Sequence, residues 1–168
     1  MPSLTCQIIN EAVKRFETPV YLYDATNIKN KYWSLRNALT EHCAIYYSMK
    51  ANPLLAINKI LKDTGAGCEV SSGNELKTAL KVGFLPEKII LVGPGKKHDE
   101  IECAIKNNIK HIVCESMDEI LSVNTISEKY QQKTSVLIRI NPDFMVLSAP
   151  IKMGGVPTQF GMTQSELL

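Results

Sequence analysis

The sequence predicts an α/β fold built from repeated strand–helix units. Short runs rich in β-branched and aromatic residues alternate with segments whose apolar residues recur at helical spacing. The runs begin 20 to 24 residues apart, which is the length that repeated βα units require. The six runs are VYLYD (20–24), AIYYSM (44–49), CEVSS (68–72), KIILVG (88–93), HIVCES (111–116) and TSVLIRIN (134–141).

The length of the chain leaves two architectures open. A closed eight-stranded βα barrel typically needs about 250 residues, whereas this chain has 168. A doubly wound open sheet needs fewer strands, so length alone does not choose between the two. Residues 142–159 are rich in Gly and Pro and predict a long loop, of a kind that is usually functional or disordered. Residues 164–168 resemble the first turn of another helix.

The first two helices are predicted from apolar spacing. One is expected near 4–16 and a second over roughly 25–40. The first is expected to bury an apolar face that consists of Leu4, Ile8, Ile9, Ala12, Val13 and Phe16.

The later helices are predicted from their end signals. Asn52 is a typical N-cap and Pro53 a typical first helical residue, and Gly65 marks the end of that helix. Two serine–glutamate pairs have the spacing of a capping box and predict two further helix starts. They are Ser72 with Glu75 and Ser116 with Glu119.

Charge and hydropathy exclude several classes of partner. The net charge is +2 and the lysines are scattered, which gives no reason to expect nucleic acid or an anionic membrane as a partner. Lys29, Lys31, Lys96 and Lys97 are expected on the solvated surface. No run of 18 apolar residues is present, so no transmembrane helix is expected.

The five cysteines argue for a reducing compartment. Their number is odd, no pair has CxxC spacing, and the N-terminus has no secretory apolar region. We therefore expect a cytoplasmic protein without a disulfide framework, and no metal site. Cys43, Cys68 and Cys114 lie in apolar runs and are expected to be small core residues.

Lys50 is the most informative charged residue. It follows the apolar run AIYYSM and precedes the predicted N-cap Asn52. In βα folds the ligand-binding residues follow the carboxyl ends of the strands. Partial desolvation and a nearby helix N-terminus would both favour the neutral amine, which is the nucleophile of Schiff-base chemistry. An ordinary surface lysine remains the alternative at this point.

Other motifs are weak. Gly93-Pro94-Gly95 lacks the third glycine of a dinucleotide-binding loop, and a strand-end turn is the simpler interpretation. No P-loop and no nucleophile elbow occurs. The remaining residues at strand ends include Glu115 with Ser116, and Arg139 to Asn141.

Five stretches in the same order resemble the fold-type III pyridoxal-phosphate (PLP) decarboxylases, the diaminopimelate/ornithine/arginine decarboxylase family. The stretches are TPVYLYD (18–24), YYSMKANP (46–53), CEVSSGNEL (68–76), IRINPD (138–143) and KMGGVPTQFGM (152–162). This resemblance implies a partial (β/α)8 TIM barrel of the alanine racemase-like/group IV decarboxylase type, truncated after about five strands. It also implies a C-terminal β domain that is absent here, and a homodimer.

The resemblance implies a domain division and a set of site residues. Residues 1–42 would form a lead-in helix, strand and helix, 43–141 the βα units, and 142–168 the Gly/Pro-rich loop and the start of the next helix. Lys50 would form the internal aldimine with PLP. Glu69 matches the acidic residue after the next strand, Ser72 and Glu75 match the S-x-x-E pattern, and Arg139 matches an arginine near the ring's phenolic oxygen. Capping alone also explains Ser72 and Glu75.

The implied reaction is the α-decarboxylation of an amino acid, as in lysine biosynthesis. The family's ring-stacking histidine, phosphate loop, pyridine-pairing carboxylate and partner cysteine would lie beyond residue 168, so a fragment with little activity alone is expected. Lys152-Met153-Gly154-Gly155 resembles the branch that includes decarboxylases of carrier-bound amino acids. Two alternatives stay open, which are an alanine-racemase-like enzyme and a non-catalytic PLP-binding remnant.

Overall fold

The five strands of the structure form one parallel sheet in chain order. The structure is a computed structural model and describes residues 4–144, 155 and 158–166. Each strand pairs with the next along the chain, as the βα repeat predicts. The strands are β1 (Tyr46–Ser48), β2 (Gly67–Val70), β3 (Ile89–Leu91), β4 (His111–Cys114) and β5 (Val136–Ile138).

The helices precede the sheet or connect its strands. Two helices precede β1, and one α-helix follows each of β1 to β4. The α-helices are α1 (Cys6–Phe16), α2 (Ala25–Ala38), α3 (Leu55–Asp63), α4 (Gly73–Val82), α5 (His98–Lys106) and α6 (Met117–Tyr130). Short 3-10 helices occupy Met49–Ala51, Pro86–Lys88 and Gln164–Glu166.

The core lies between the sheet and helices α4 to α6. Met49, Val70, Leu76, Ile89 and Ile112 are fully buried members of one apolar cluster. Each such side chain contributes about 1.5–3 kcal/mol through its removal from water. The cluster makes the middle of the sheet rigid, and the residues that follow its strands are held on that rigid base.

Two of the predicted N-terminal features are wrong. Residues 20–24 form no strand, because they have no ladder partner among the described residues, and Tyr21 is 86% exposed. Helix α1 forms as predicted, but its apolar face is not buried. Ile8, Val13 and Phe16 remain 37–62% exposed because none of the described elements covers them.

The helix after Lys50 begins later than predicted. Asn52 accepts the N–H of Leu54 in a local turn, and α3 starts at Leu55. Asn52 therefore caps a turn and not the helix, and Pro53 lies outside α3. The predicted end is confirmed, since the helix stops at Asp63 and Gly65 adopts a φ of +97°, which glycine accepts without strain.

The two predicted capping boxes form only in part. The hydroxyls of Ser72 and Ser116 accept the N–H groups of Glu75 and Glu119, both at 3.2 Å. Each glutamate, however, bonds to the N–H of the residue before the cap and not to that of the cap itself. Both serines are nevertheless true N-caps, as the sequence predicts.

Two side-chain predictions need correction. Cys43 is exposed, while Cys68 and Cys114 are buried as predicted. Lys96 is not a surface residue, because its side chain is 3% exposed and its ammonium is paired with Glu119. None of the helices in the described part of the chain is long and apolar enough to cross a membrane.

Candidate active site at the carboxyl edge of the sheet

The predicted site residues follow the carboxyl ends of parallel strands. Lys50 follows β1, Ser72 follows β2 and Arg139 directly follows β5. Glu69 lies within β2, and the register places it opposite Ser48 of β1. Because parallel strands end at one edge of the sheet, the four residues belong to the same edge.

Lys50 is exposed and free for chemistry. It lies in the 3-10 turn Met49–Ala51, where the fully buried Met49 anchors the turn in the core. Within residues 4–144, 155 and 158–166, the ammonium of Lys50 has neither a hydrogen-bond acceptor nor an ion-pair partner. The prediction that Lys50 is partly desolvated is wrong in the described part of the chain, because none of the described residues buries its side chain.

Glu69 is held by the neighbouring strand. The hydroxyl of Ser48 donates to Glu69 Oε1 at 2.8 Å, and the carboxylate is half-buried. Next to it in β2, burial raises the pKa of the Cys68 thiol to about 12, and the charges of Glu75 and Glu69 add to the effect. Cys68 is therefore a neutral core residue and not a second nucleophile.

Ser72 is engaged in helix capping. Its hydroxyl accepts the N–H of Glu75, and the Glu75 carboxylate accepts the N–H of Ser71 at 2.7 Å. The N–H of Gly73 donates to Glu100 of α5 at 2.6 Å. The start of α4 is thus tied to its own side chains and to the next helix, which fixes the loop after β2.

Arg139 is bound on two sides. Its Nη1 donates to both carboxylate oxygens of Glu115, at 3.2 and 3.1 Å. Its guanidinium lies over the ring of Phe160, 4.7 Å from the centroid, in a cation–π contact. The Arg139 side chain is partly buried, at 29% exposed, and its partners come from the residue that follows β4 and from the segment 158–166.

The structure therefore brings some predicted residues together and not others. It joins Glu69 to Ser48, and Arg139 to Glu115, but it places neither of these pairs in hydrogen-bond contact with Lys50. Sequence reasoning missed the roles of Glu115 and Phe160. Glu115 was visible as a strand-end carboxylate, but no spacing rule pairs it with an arginine 24 residues later. The Lys152–Gly154 part of the loop motif lies outside the described residues.

A large apolar groove lies beside this site. Its volume is about 760 Å³, and it lies along β1 and helices α2 and α3. Ser48, Ala51 and Asn52 line it, whereas Lys50, Glu69 and Arg139 do not. The groove is thus not the pocket of the predicted site residues.

Comparison with known proteins decides the family. The family model described as "Pyridoxal-dependent decarboxylase, pyridoxal binding domain" matches residues 25–168. The chain belongs to this family. The match spans all five strands and all four predicted site residues, so the resemblance found in the sequence is confirmed.

Individual decarboxylases are also similar to this chain. The L-glutamyl-[BtrI acyl-carrier protein] decarboxylase of Niallia circulans is 44% identical over 95% of this chain and 37% of its own length. The diaminopimelate decarboxylase of Helicobacter pylori strain J99 is 36% identical over 94% of this chain and 40% of its own length. A crystal structure of the H. pylori enzyme with L-lysine superimposes with a TM-score of 0.87 at 33% identity, covering 95% of this chain and 41% of that one.

The coverage is asymmetric. The chain spans about two fifths of the length of these pyridoxal-dependent decarboxylases, and the part that it matches is their N-terminal barrel portion. The five-stranded parallel sheet is therefore part of a TIM-barrel domain, as the resemblance implied.

Proposed function

We propose that this chain carries the cofactor-attachment lysine of a PLP-dependent amino acid decarboxylase. The observation that carries the proposal is the position of Lys50. It follows the first strand of the sheet within the family's region of match, and its ammonium has no competing partner among the described residues. An exposed lysine that has no partner among the described residues, on a turn anchored by the buried Met49, is available to attack an aldehyde.

The described residues fit PLP at two points. Lys50 offers an amine for the aldehyde of PLP. Arg139 retains Nε and Nη2, which have no acceptor in the described part of the chain, and these fit an anionic oxygen such as the phenolate of the ring. When bound, PLP supplies an electron-accepting ring that stabilises negative charge at the substrate's α carbon after CO2 leaves.

The other predicted residues have supporting roles in this proposal. Glu69, held by Ser48, places a carboxylate on β2, the strand that pairs with the strand preceding Lys50. Ser72 fixes the start of α4, and its proposed contact with the cofactor uses the hydroxyl proton that the cap leaves free. The homodimer and the domain division implied by the resemblance remain part of the proposal.

The test is a PLP titration of three proteins. Wild type is expected to develop the visible absorbance band that attachment of PLP to a lysine produces, and K50A is expected to lack it. K77A removes an exposed lysine of α4 and is the matched control, with a band equal to that of wild type. A band of unchanged intensity in K50A would contradict the proposal.

For the substrate we propose a carrier-bound α-amino acid. The support is the 44% identity to the decarboxylase of a glutamyl carrier protein, against 36% for a diaminopimelate decarboxylase. CO2 release from glutamyl carrier protein is expected to exceed release from free diaminopimelate, measured with PLP present. The ratio of the two rates is the informative quantity, because the chain spans only about two fifths of its relatives. A ratio below one would contradict this choice.

A further inference from the structure

Glu115 is a buried carboxylate that the proposed chemistry leaves unused. It directly follows β4, and its side chain is 2% exposed. Burial of a carboxylate without partners is strongly unfavourable, so the groups that bind Glu115 explain how the fold accommodates its charge.

Those partners come from three separate segments of the chain. Glu115 Oε1 accepts the N–H of Gly93, after β3, at 3.0 Å. Arg139, after β5, donates Nη1 to both oxygens. Gly161, in the segment 158–166, donates its N–H to Oε2 at 3.2 Å. One carboxylate therefore joins the ends of β3, β4 and β5 to the segment that follows the loop.

The main chain of Glu115 is fixed as well. Its N–H donates to Glu119 Oε2 at 2.8 Å, and the same oxygen accepts the ammonium of Lys96 at 2.8 Å. Lys96 also donates to the carbonyl of Gly93 at 2.6 Å. The position of Glu115 is consequently fixed independently of Arg139, and Glu115 determines where the guanidinium of Arg139 lies.

Phe160 and Gly161 complete the setting of Arg139. The ring of Phe160 covers one face of the guanidinium. Gly161 has a φ of +75°, and a Cβ placed there would lie 2.7 Å from the Arg139 carbonyl oxygen and 3.1 Å from its Cγ. The Phe160-Gly161 pair near the end of the family-like motif thus packs directly against Arg139.

We propose that Glu115 is the positioning residue for Arg139. It holds Nη1 and leaves Nε and Nη2 without an acceptor among the described residues, so that these two groups could bind the anionic oxygen of the cofactor. The direction of that ligand rests on the proposed function, whereas the positioning of the guanidinium is a property of this chain alone. Glu115 itself does not touch the reacting atoms.

The test compares arginine reactivity within one molecule. The chain has three arginines, Arg15, Arg36 and Arg139, and phenylglyoxal modification of each is followed by peptide mass spectrometry. Arg15 is the internal reference, because it lies over Phe16 at 5.2 Å and has no carboxylate partner among the described residues. In E115Q the Arg139-to-Arg15 rate ratio is expected to rise about fivefold, since a charge-assisted hydrogen bond is lost.

A second glutamate provides the matched control. E102Q removes a carboxylate that joins α5 to Tyr130 and Lys129, so it perturbs packing without touching Arg139. Its rate ratio is expected to equal that of wild type. An unchanged ratio in folded E115Q would overturn the proposal, and so would an equal rise in E102Q.

Two further measurements separate folding and function. If circular dichroism shows that E115Q is unfolded, wild-type amide exchange decides. If the Gly161 N–H exchanges about 100-fold or more slowly than an unprotected amide, its hydrogen bond to Glu115 is supported. Exchange at the unprotected rate overturns the proposal. PLP is expected to protect Arg139 of wild type from phenylglyoxal. Absence of protection would contradict the cofactor role of Arg139, while the rate ratio would still establish its positioning by Glu115.

Discussion

Two lysines that follow strands of the same sheet, Lys50 after β1 and Lys96 after β3, show how contacts at the residue scale decide chemical availability. Lys96 is buried, and its ammonium is bound by Glu119 and by the Gly93 carbonyl. Lys50 is exposed and has no such partner among the described residues. Both lysines follow apolar runs in the sequence, so composition does not separate them. The difference lies in the glutamate of α6 that reaches Lys96.

Thiol reactivity is predicted at the same scale. Cys6 and Cys43 are exposed, whereas burial raises the pKa of Cys68 to about 12 and also raises that of Cys114. At pH 8, loss of the thiolate form alone is expected to slow Cys68 about a thousandfold relative to an ordinary cysteine. Ellman's reagent, with the labelled sites mapped by mass spectrometry, measures the rates.

The labelling pattern separates exposed cysteines from buried ones. Fast labelling confined to Cys6 and Cys43 is expected, and C6S is expected to remove one fast equivalent. Cys68 labelled at the rate of Cys6 in the folded protein would contradict the burial of β2.

Residue roles were only partly predictable from the sequence. Strand ends and family motifs mark Lys50, Glu69, Ser72 and Arg139 in the sequence. The roles of Glu115 and Gly161 are not marked in this way, because they arise from contacts across 22 to 46 residues. Such contacts depend on which side chains meet across neighbouring strands and the segment 158–166, and no local sequence pattern encodes those meetings.

At the scale of elements, α4 and α6 begin in the same way. Each begins at a serine N-cap that follows a strand and precedes a glutamate. S72A and S116A are each expected to lower the free energy of unfolding by about 1 kcal/mol, because each leaves one helix N–H without its acceptor. Urea denaturation monitored by circular dichroism measures both losses.

The same pair tests whether Ser72 has a second role. S116A is expected to leave PLP affinity unchanged, while S72A is expected to weaken it, since the resemblance places only Ser72 at the cofactor. Equal PLP affinities in the two variants would show that Ser72 only caps α4 and does not contact PLP. A stability loss in S72A far below that of S116A would contradict the capping geometry itself.

Element prediction succeeded where local signals determine structure. The capping serines and Gly65 marked real helix ends. Residues 20–24 and the start of α3 were mispredicted for a physical reason. A strand needs a neighbouring strand, and Asn52 used its side chain in a turn before the helix began.

At the scale of the whole molecule, the outer edge of β5 is unpaired in the described part of the chain. Val136, Leu137 and Ile138 of β5 are 38–45% exposed, and none of the described residues pairs with their outer edge. An unprotected apolar edge favours association with another chain. The 168-residue protein is therefore expected to self-associate, and L137K is expected to raise the dissociation constant about tenfold. Sedimentation velocity over a concentration series measures it.

Leu85 supplies the control for that substitution. It is 55% exposed but lies outside the sheet, so L85K adds the same charge without changing the β5 edge. Equal effects of L137K and L85K would show that net charge, and not the edge, governs association.

The central claim is that Lys50 is the residue that PLP modifies, and peptide mapping tests it most directly. The protein is incubated with PLP, reduced with borohydride and digested, and the modified lysine is identified by mass spectrometry. The account predicts that the pyridoxyl group resides on Lys50, and that K50A does not shift it to another lysine in comparable yield. Modification spread over surface lysines such as Lys77, with Lys50 unmodified, would contradict the account.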